Sequence, residues 1–153
     1  AFLGSVAAEV LENSNCPVLA VPDRAEFDGK LDRIAFATGY QELDKSTLET
    51  TIRFANLFDA TVFCVHVDIA HTEQITHGMD RFMAEVKSKE HVVVEVLDGL
   101  NIEESLAEFI DRNQIDILAM RIKKRSFIQE LFSYSMTKKM TNHLRVPVLG
   151  LHK

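Results

Sequence analysis

Short apolar runs alternate with segments of helical periodicity along most of this chain, and this alternation limits its fold more than any other feature. Five runs predict β-strands: residues 34–37, 61–67, 92–96, 115–120 and 146–151. Between them, apolar residues recur three and four positions apart, as at Leu48, Ile52 and Ala55, which is typical of a helix with one buried face. This order implies a mostly parallel sheet with right-handed crossovers. We therefore predict an α/β fold with a five-stranded parallel Rossmann-like sheet and helices on both faces.

Two of the helices have a capping pattern near their predicted starts. Ser46 stands three residues before Glu49, and Asn101 stands three residues before Glu104. At this spacing a polar side chain and an acidic side chain can accept hydrogen bonds from the free backbone N–H groups of a first helical turn. The pattern predicts helix N-termini at Ser46 and Asn101.

The two ends of the chain resemble each other at an offset of 130 residues. Residues 4–21 align without a gap on residues 134–151, with four identical positions among 18. Both segments read as an amphipathic helix followed by a proline and a short apolar strand. We interpret the match as a duplication: residues 1–22 would be the last helix and strand of a first unit, 23–30 a linker, and 31–153 a complete second unit. The alternative is that many domains end with a helix, a proline and a strand, and that chance supplies the identical positions.

Composition narrows the class of protein. The 153 residues carry a net charge of −6 and are 46% apolar, and an acidic balance disfavours binding to nucleic-acid phosphates. No apolar run approaches the roughly 18 residues of a membrane-spanning helix. Cys16 and Cys64 show neither a disulfide framework nor metal-ligand spacing, and the first residues lack a signal or transit pattern. We expect a cytoplasmic protein that binds neither nucleic acid nor membrane.

Ligands of parallel α/β sheets bind beyond the carboxyl ends of the strands, so the residues that follow each strand were compared with known motifs. Thr38 and Gly39 follow the first strand without a GxGxxG pattern, which disfavours a dinucleotide site. The acidic residues that a phosphoacceptor domain needs there are absent as well. Residues 121–145, after the fourth strand, hold seven basic residues and one acidic residue. A basic segment before a helix suits an anion, although composition alone favours a solvated loop or a surface for an acidic partner.

Taken together, these residues resemble the universal stress protein family over nearly the whole chain. The most specific part is residues 4–21, which begin with Gly4 and Ser5 and are similar to the closing segment of a nucleotide-binding member. Residues 31–151 resemble a second, divergent copy, including the Cys-Val-His-Val run at 64–67. The chain is thus identified as the C-terminal part of a tandem-domain member. The resemblance implies a five-stranded parallel α/β fold.

Nucleotide-binding members carry Gly-x-x-Gly, nine residues, and then Gly-Ser or Gly-Thr after the fourth strand. Here the spacing survives but the glycines do not, and the motif positions fall on Arg121, Lys124, Tyr134 and Ser135. The positions at the adenine end of the family's site fall on Thr38, Gly39 and Val67, with Gly39 where an Asp is expected. These residues, together with Gly4 and Ser5 of the first unit, are our candidate nucleotide or anion positions.

The replaced glycines bear directly on ATP binding. Glycine lets phosphate oxygens approach backbone N–H groups closely and allows positive φ. We therefore predict that the complete unit binds ATP poorly or not at all and has no cofactor, while ATP stays open as a ligand of the full-length first unit. The alternative is that Arg121 and Lys124 hold a nucleotide or another small anion by charge.

No metal centre or catalytic site is predicted. His66, His71 and His77 fall within twelve residues, but no Cys or carboxylate completes a ligand set at a suitable spacing. Ser126 and Ser135 lack the context of a nucleophile elbow. We expect that the protein is not an enzyme.

The resemblance also implies how the units pair, because family dimers form through their last strands. Here residues 18–21 would lie antiparallel to residues 148–151 in an intrachain pseudo-dimer, and each strand would cover the edge of the other. An incomplete first unit would also favour a homodimer or a larger oligomer. The implied function is a stress-response module for dimerisation or interaction. The alternative is an ATP- or AMP-binding switch with weak ATPase activity.

Overall fold

A mostly parallel sheet with helices on both faces forms the described part of the chain. The computed structural model describes residues 5–23, 25–69, 77–122 and 146–152. These residues form four helices, α1 Ser5–Asn13, α2 Glu42–Asn56, α3 His77–Lys87 and α4 Ile102–Arg112. They also form six strands: β1 Val18–Ala20, β2 Arg33–Ala37, β3 Thr61–Ile69, β4 Val92–Gly99, β5 Ile117–Arg121 and β6 Val148–Leu151.

The strand order in the sheet is β1-β6-β5-β2-β3-β4. Strands β2 to β6 are all parallel to one another. Strand β1 is antiparallel to β6. From β2 the chain proceeds outward through β3 and β4, then crosses back to β5 and β6 on the other side of β2. The direction of winding therefore reverses between β2 and β5, which makes the carboxyl ends of these two strands the topological switch point.

The core has two layers because neighbouring strand residues point to opposite faces of the sheet. Ile34 and Phe36 of β2 pack with buried residues of α2 and α3. Ala35, between them, packs on the other face with buried residues of α1 and α4. The near-continuous burial of β2, β5 and β6 is what a parallel sheet covered on both faces requires.

All five predicted strands are present, with shifted ends, and β1 is the sixth strand of the sheet. The last two strands begin two residues later than predicted, at Ile117 and Val148. Ile115 and Val146 are nevertheless buried. They are apolar because they pack in the core just before each strand, and for this reason the predicted strands began too early. No helix among the described ranges is long and apolar enough to cross a membrane.

The two predicted helix starts have different outcomes. The prediction at Asn101 is confirmed, since its side-chain oxygen accepts a hydrogen bond from the backbone N–H of Glu104 at 2.9 Å. The prediction at Ser46 is wrong, because α2 begins four residues earlier, at Glu42, with Gln41 as its N-cap residue. Ser46 lies inside the helix, where its hydroxyl donates to the carbonyl of Leu43.

The predicted antiparallel pairing of the chain ends is present between β1 and β6. Val18 lies opposite Gly150, Leu19 opposite Leu149, and Ala20 opposite Val148. Val21 lies just past the end of β1. The pairing places residues 18–20 at one edge of the sheet, while the origin of residues 1–22 in an earlier copy stays a prediction.

Candidate functional site at the switch point

The candidate site lies where β2 and β5 end side by side. Ala37, the last residue of β2, is in register with Met120 of β5. Thr38 and Gly39 continue from β2 towards α2, and Arg121 is the last residue of β5. Crevices of this kind hold the ligands of open α/β sheets. The side chains that line this crevice therefore determine which ligand can bind there.

The centre of this site is the carboxylate of Asp44, in the first turn of α2. One of its oxygens, Oδ2, accepts hydrogen bonds from Thr38 Oγ1 at 2.9 Å, from the Gly39 N–H at 3.1 Å and from the Gln41 N–H at 3.3 Å. The side chain of Asp44 is only 2% exposed. A buried carboxylate needs such donors because it has lost its water, and here they come from the loop that connects β2 to α2.

Arg121 supplies the positive charge that a buried carboxylate requires. Its Nε donates to Asp44 Oδ1 at 2.8 Å, and its Nη2 donates to Gln41 Oε1 at 2.5 Å. The arginine side chain is 12% exposed, so solvent screens the pair weakly. The result is an ion pair that joins the end of β5 to the start of α2 across the switch point.

Tyr40, in the loop after β2, and His66, within β3, form the neighbouring part of the site. Tyr40 adopts a positive φ of 59°, and its ring lies 4.2 Å from that of His66 and 5.6 Å from that of Phe82, measured between centroids. His66 Nδ1 is 2.8 Å from the carbonyl oxygen of Thr38. Because a carbonyl only accepts, this bond places a proton on Nδ1.

Cys64 lies two residues before His66 in β3, where it is buried and experiences the negative charge of Asp44. Burial and, to a smaller extent, the charge of Asp44 raise the pKa of its thiol to about 12. A thiol with such a pKa is protonated at neutral pH and is a poor nucleophile or metal ligand. Cys64 therefore contributes packing rather than chemistry to this site.

The candidate positions derived from sequence are distributed as follows. Thr38, Gly39 and Arg121 lie together around Asp44, whereas Val67 is buried in the core layer that contains α1 and α4. Gly4, Lys124, Tyr134 and Ser135 lie outside the described residues. So does the side chain of Ser5, although the backbone of Ser5 begins α1.

The histidine cluster considered as a metal site is described only at His66. His71 and the side chain of His77 lie outside the described residues, and the Nδ1 of His66 bonds to a carbonyl. Within the described ranges, no group of three or more His, Cys, Asp or Glu side chains is arranged to hold a metal ion.

Asp44 and Gln41 are the two important residues that the sequence analysis missed. Both belong to the β2–α2 connection, and the misplaced start of α2 at Ser46 hid them inside a presumed loop. An available signal was the acidic residue three positions after Gln41, since an acidic side chain at N3 commonly bonds back to the N-cap backbone. The observed bond from the Gln41 N–H to Asp44 follows that rule.

A cavity of about 730 Å³ lies at the opposite, amino edge of the sheet. Its wall includes Asp32 and Asp116, which precede β2 and β5, and the exposed ring of Phe27. One oxygen of Asp116 accepts from the backbone N–H groups of Asp32 and Arg33. Through these bonds Asp116 connects the start of β5 to the start of β2. Because the cavity lies at the amino edge and the switch point at the carboxyl edge, the two are separate.

Comparison with known proteins relates this fold to one family. No protein-family model matches the chain, and no curated protein matches its sequence. Among solved structures, the chain is similar to a universal stress protein from Archaeoglobus fulgidus DSM 4304, with a TM-score of 0.70 and 20% sequence identity. The match covers 99% of this chain and 55% of that one, so the chain spans about half the length of that protein. At this identity the likeness shows the fold alone.

Proposed function

We propose that this chain is a stress-response module of the universal stress protein type whose complete unit, residues 31–153, serves in pairing and interaction rather than catalysis. The observation that supports this proposal is the Arg121–Asp44 ion pair at the switch point. The module is not an enzyme in this proposal, and the complete unit has no cofactor. Its place of action is the cytoplasm.

The ion pair disfavours a nucleotide in two ways. A phosphate group drawn to Arg121 competes with Asp44, and separating a buried pair costs about 3–5 kcal/mol because a charge is left without its partner. A loss of that size weakens binding by roughly two to four orders of magnitude. In addition, the buried Asp44 lies just inside α2, where its negative charge repels an incoming phosphate.

The pairing role is supported by the contact between β1 and β6. We propose that residues 1–22 close a first unit, that 23–30 link the units, and that ATP binds, if anywhere, in the full-length first unit. The outward side chains of Val6, Val10, Leu19 and Val21 are between 45% and 72% exposed. Such an apolar surface fits further association, either with the rest of a first unit or with a second copy.

Nucleotide content is the test of this proposal. The purified full chain is denatured, the released small molecules are identified by mass spectrometry, and binding of ATP and AMP to the native chain is titrated by calorimetry. We expect no stoichiometric nucleotide and no saturable heat at millimolar ligand. ATP released in a 1:1 ratio would contradict the proposal and favour the switch with weak ATPase activity, which phosphate release would then measure.

Anion binding by the basic segment is the second candidate function, and the charge of residues 121–145 favours it. It predicts salt-sensitive binding of inorganic phosphate or nucleotide. Arg121→Met should weaken that binding if the arginine is a ligand. Absence of salt-sensitive binding to the unaltered chain, as our proposal holds, would contradict this candidate.

A further inference from the structure

The cavity of about 730 Å³ at the amino edge of the sheet has no part in the function proposed above. Segments that are distant in the sequence form its walls: residues 26–28 before β2, the starts of β2 and β5, and the last turns of α4. Small-molecule sites in proteins typically have volumes of about 300–1,000 Å³. The cavity is therefore large enough for a small organic ligand.

The floor of this cavity is apolar. Ile110, Ile115 and Val146 line it, and these core residues are only 4–9% exposed. The ring of Phe27 also lines the cavity but is 66% exposed, so it lies at the mouth. An apolar floor beside an exposed aromatic ring gives a hydrocarbon chain a surface on which it can leave water.

Five carboxylates line the same cavity. They belong to Glu26, Asp28, Asp32, Asp111 and Asp116. Among the lining residues only Arg33 is basic, and its Nη1 donates to the carbonyl of Asn113 at 2.8 Å. The five acidic residues and this arginine give the lining a formal charge of −4, which disfavours phosphates and other anions.

The fold provides partners for some of these carboxylates but not for all. Asp116 accepts from the backbone N–H groups of Asp32 and Arg33. The carboxylates of Asp32 and Asp111 are exposed and form no hydrogen bond or ion pair with any residue that the structure describes. Because Asp111 lies in the last turn of α4, the negative end of the helix dipole adds to its field. The cavity therefore attracts a cation.

From the combination of volume, apolar floor and negative charge we infer that this cavity binds an aliphatic polyamine, a hydrocarbon chain that carries several ammonium groups. The alkyl segments lie on the apolar floor, and the ammonium groups meet the carboxylates. The ring of Phe27 adds a cation–π contact at the mouth. This binding site is independent of the switch point and of the function proposed above.

A metal ion and a monoamine suit the cavity less well than a polyamine does. Within the described ranges, no group of three or more His, Cys, Asp or Glu side chains is arranged to hold a metal ion. A single exposed ion pair contributes little to binding because water and salt screen it. Several ammonium groups on one chain act together, so affinity should increase with their number and decrease with salt.

Calorimetric titration of the full chain with spermine at low salt tests the inference. We expect saturable 1:1 binding, with weaker binding of spermidine and still weaker binding of putrescine. The double variant Asp32→Asn with Asp111→Asn keeps the shape of both side chains but removes two charges, so spermine should bind roughly five- to thirtyfold more weakly. Phe27→Ala should weaken it by roughly two- to fivefold.

The matched control removes the same charge elsewhere. Asp80 lies in α3 and Glu90 in the turn that follows it, and both are exposed. Helix α3 packs on the other face of the sheet from α4. Asp80→Asn with Glu90→Gln should therefore leave the affinity for spermine within about twofold of the unaltered chain.

Four results would overturn the inference. The first is no saturable binding of spermine, and the second is equal weakening by the control pair, which would show attraction to net charge alone. The third is displacement of spermine by magnesium chloride as effective as that by putrescine at the same concentration, because Mg²⁺ carries the same charge without a hydrocarbon chain. The fourth is tighter binding of a lysine-rich peptide, which would indicate a protein partner instead.

Thermal unfolding gives a second measurement. Because spermine would bind only the folded cavity, it should raise the melting temperature of the unaltered chain. The increase should be smaller for Asp32→Asn with Asp111→Asn and unchanged for the control pair. Equal increases in all three proteins would contradict binding in this cavity.

Discussion

At the scale of single residues, the ion pair between Arg121 and Asp44 determines the charge that a ligand would meet at the switch point. They lie 77 positions apart in the sequence and 2.8 Å apart in space. Asp44 also receives three hydrogen bonds from the loop after β2. Its charge is therefore satisfied within the fold, and the arginine that ends β5 serves this carboxylate.

Loss of the arginine should consequently destabilise the fold. Arg121→Met leaves Asp44 buried without its cation, and breaking such a pair costs about 3–5 kcal/mol. Lys45→Met is the matched control, since Lys45 pairs with Glu85 at 3.3 Å near the surface and exposed pairs contribute about 0–1 kcal/mol. Urea denaturation measures both. Equal small losses would show that the Arg121–Asp44 pair adds no more than a surface contact.

Cys64 provides a pH-dependent test of the same buried region. Its raised pKa means that the folded state disfavours the thiolate, so this contribution to stability is present below pH 9.0 and is lost as the pH rises towards about 12. The free energy of unfolding should fall in that window by up to about 1.4 kcal/mol per pH unit. Cys64→Ala should show a shallower fall, because the buried thiol no longer contributes to it. Identical slopes in the two proteins would contradict the burial of this thiol.

At the scale of elements, strands were easier to predict than helix ends. Buried parallel strands produce continuous apolar runs, and all five were found. The start of α2 was misplaced because Ser46 and Glu49 imitate a cap while Gln41 has no strong capping preference. What fixes Gln41 there is Asp44, whose carboxylate bonds to its N–H. For the helix start, the local sequence offered only the acidic residue at N3. It could not reveal the ion pair, because Arg121 belongs to a distant strand.

The two capping patterns can be compared directly by mutation. Asn101→Ala removes the side-chain oxygen that accepts from Glu104 N at 2.9 Å, and a lost N-cap typically costs about 0.5–2 kcal/mol. Ser46→Ala changes a residue inside α2, where alanine is a better helix former than serine, so stability should stay within about 0.5 kcal/mol or rise. Thermal unfolding followed by circular dichroism measures both variants. A greater loss for Ser46→Ala would contradict the observed start of α2.

At the scale of the whole molecule, the fold joins segments from opposite ends of the chain into one sheet. Alternating strands and helices predicted the parallel order. The offset of 130 predicted a duplication, and the resemblance to the family implied that the two ends pair. The sequence could not show that α1 also packs into a core layer with α4, because that contact depends on where the pairing of β1 with β6 places α1. The segment 5–20 is therefore part of the core.

Because residues 5–20 belong to the core, a substitution there should lower the stability of the whole sheet. Leu11 is fully buried and contacts the core next to Gly150, so Leu11→Ala should cost about 2–5 kcal/mol through lost burial and a cavity. Val10→Ala, at a 47% exposed neighbour, should cost less than about 0.5 kcal/mol. Urea denaturation measures both losses, and hydrogen exchange should show that Leu11→Ala lowers protection throughout β2, β5 and β6. A loss of protection confined to α1 and β1 would contradict this prediction.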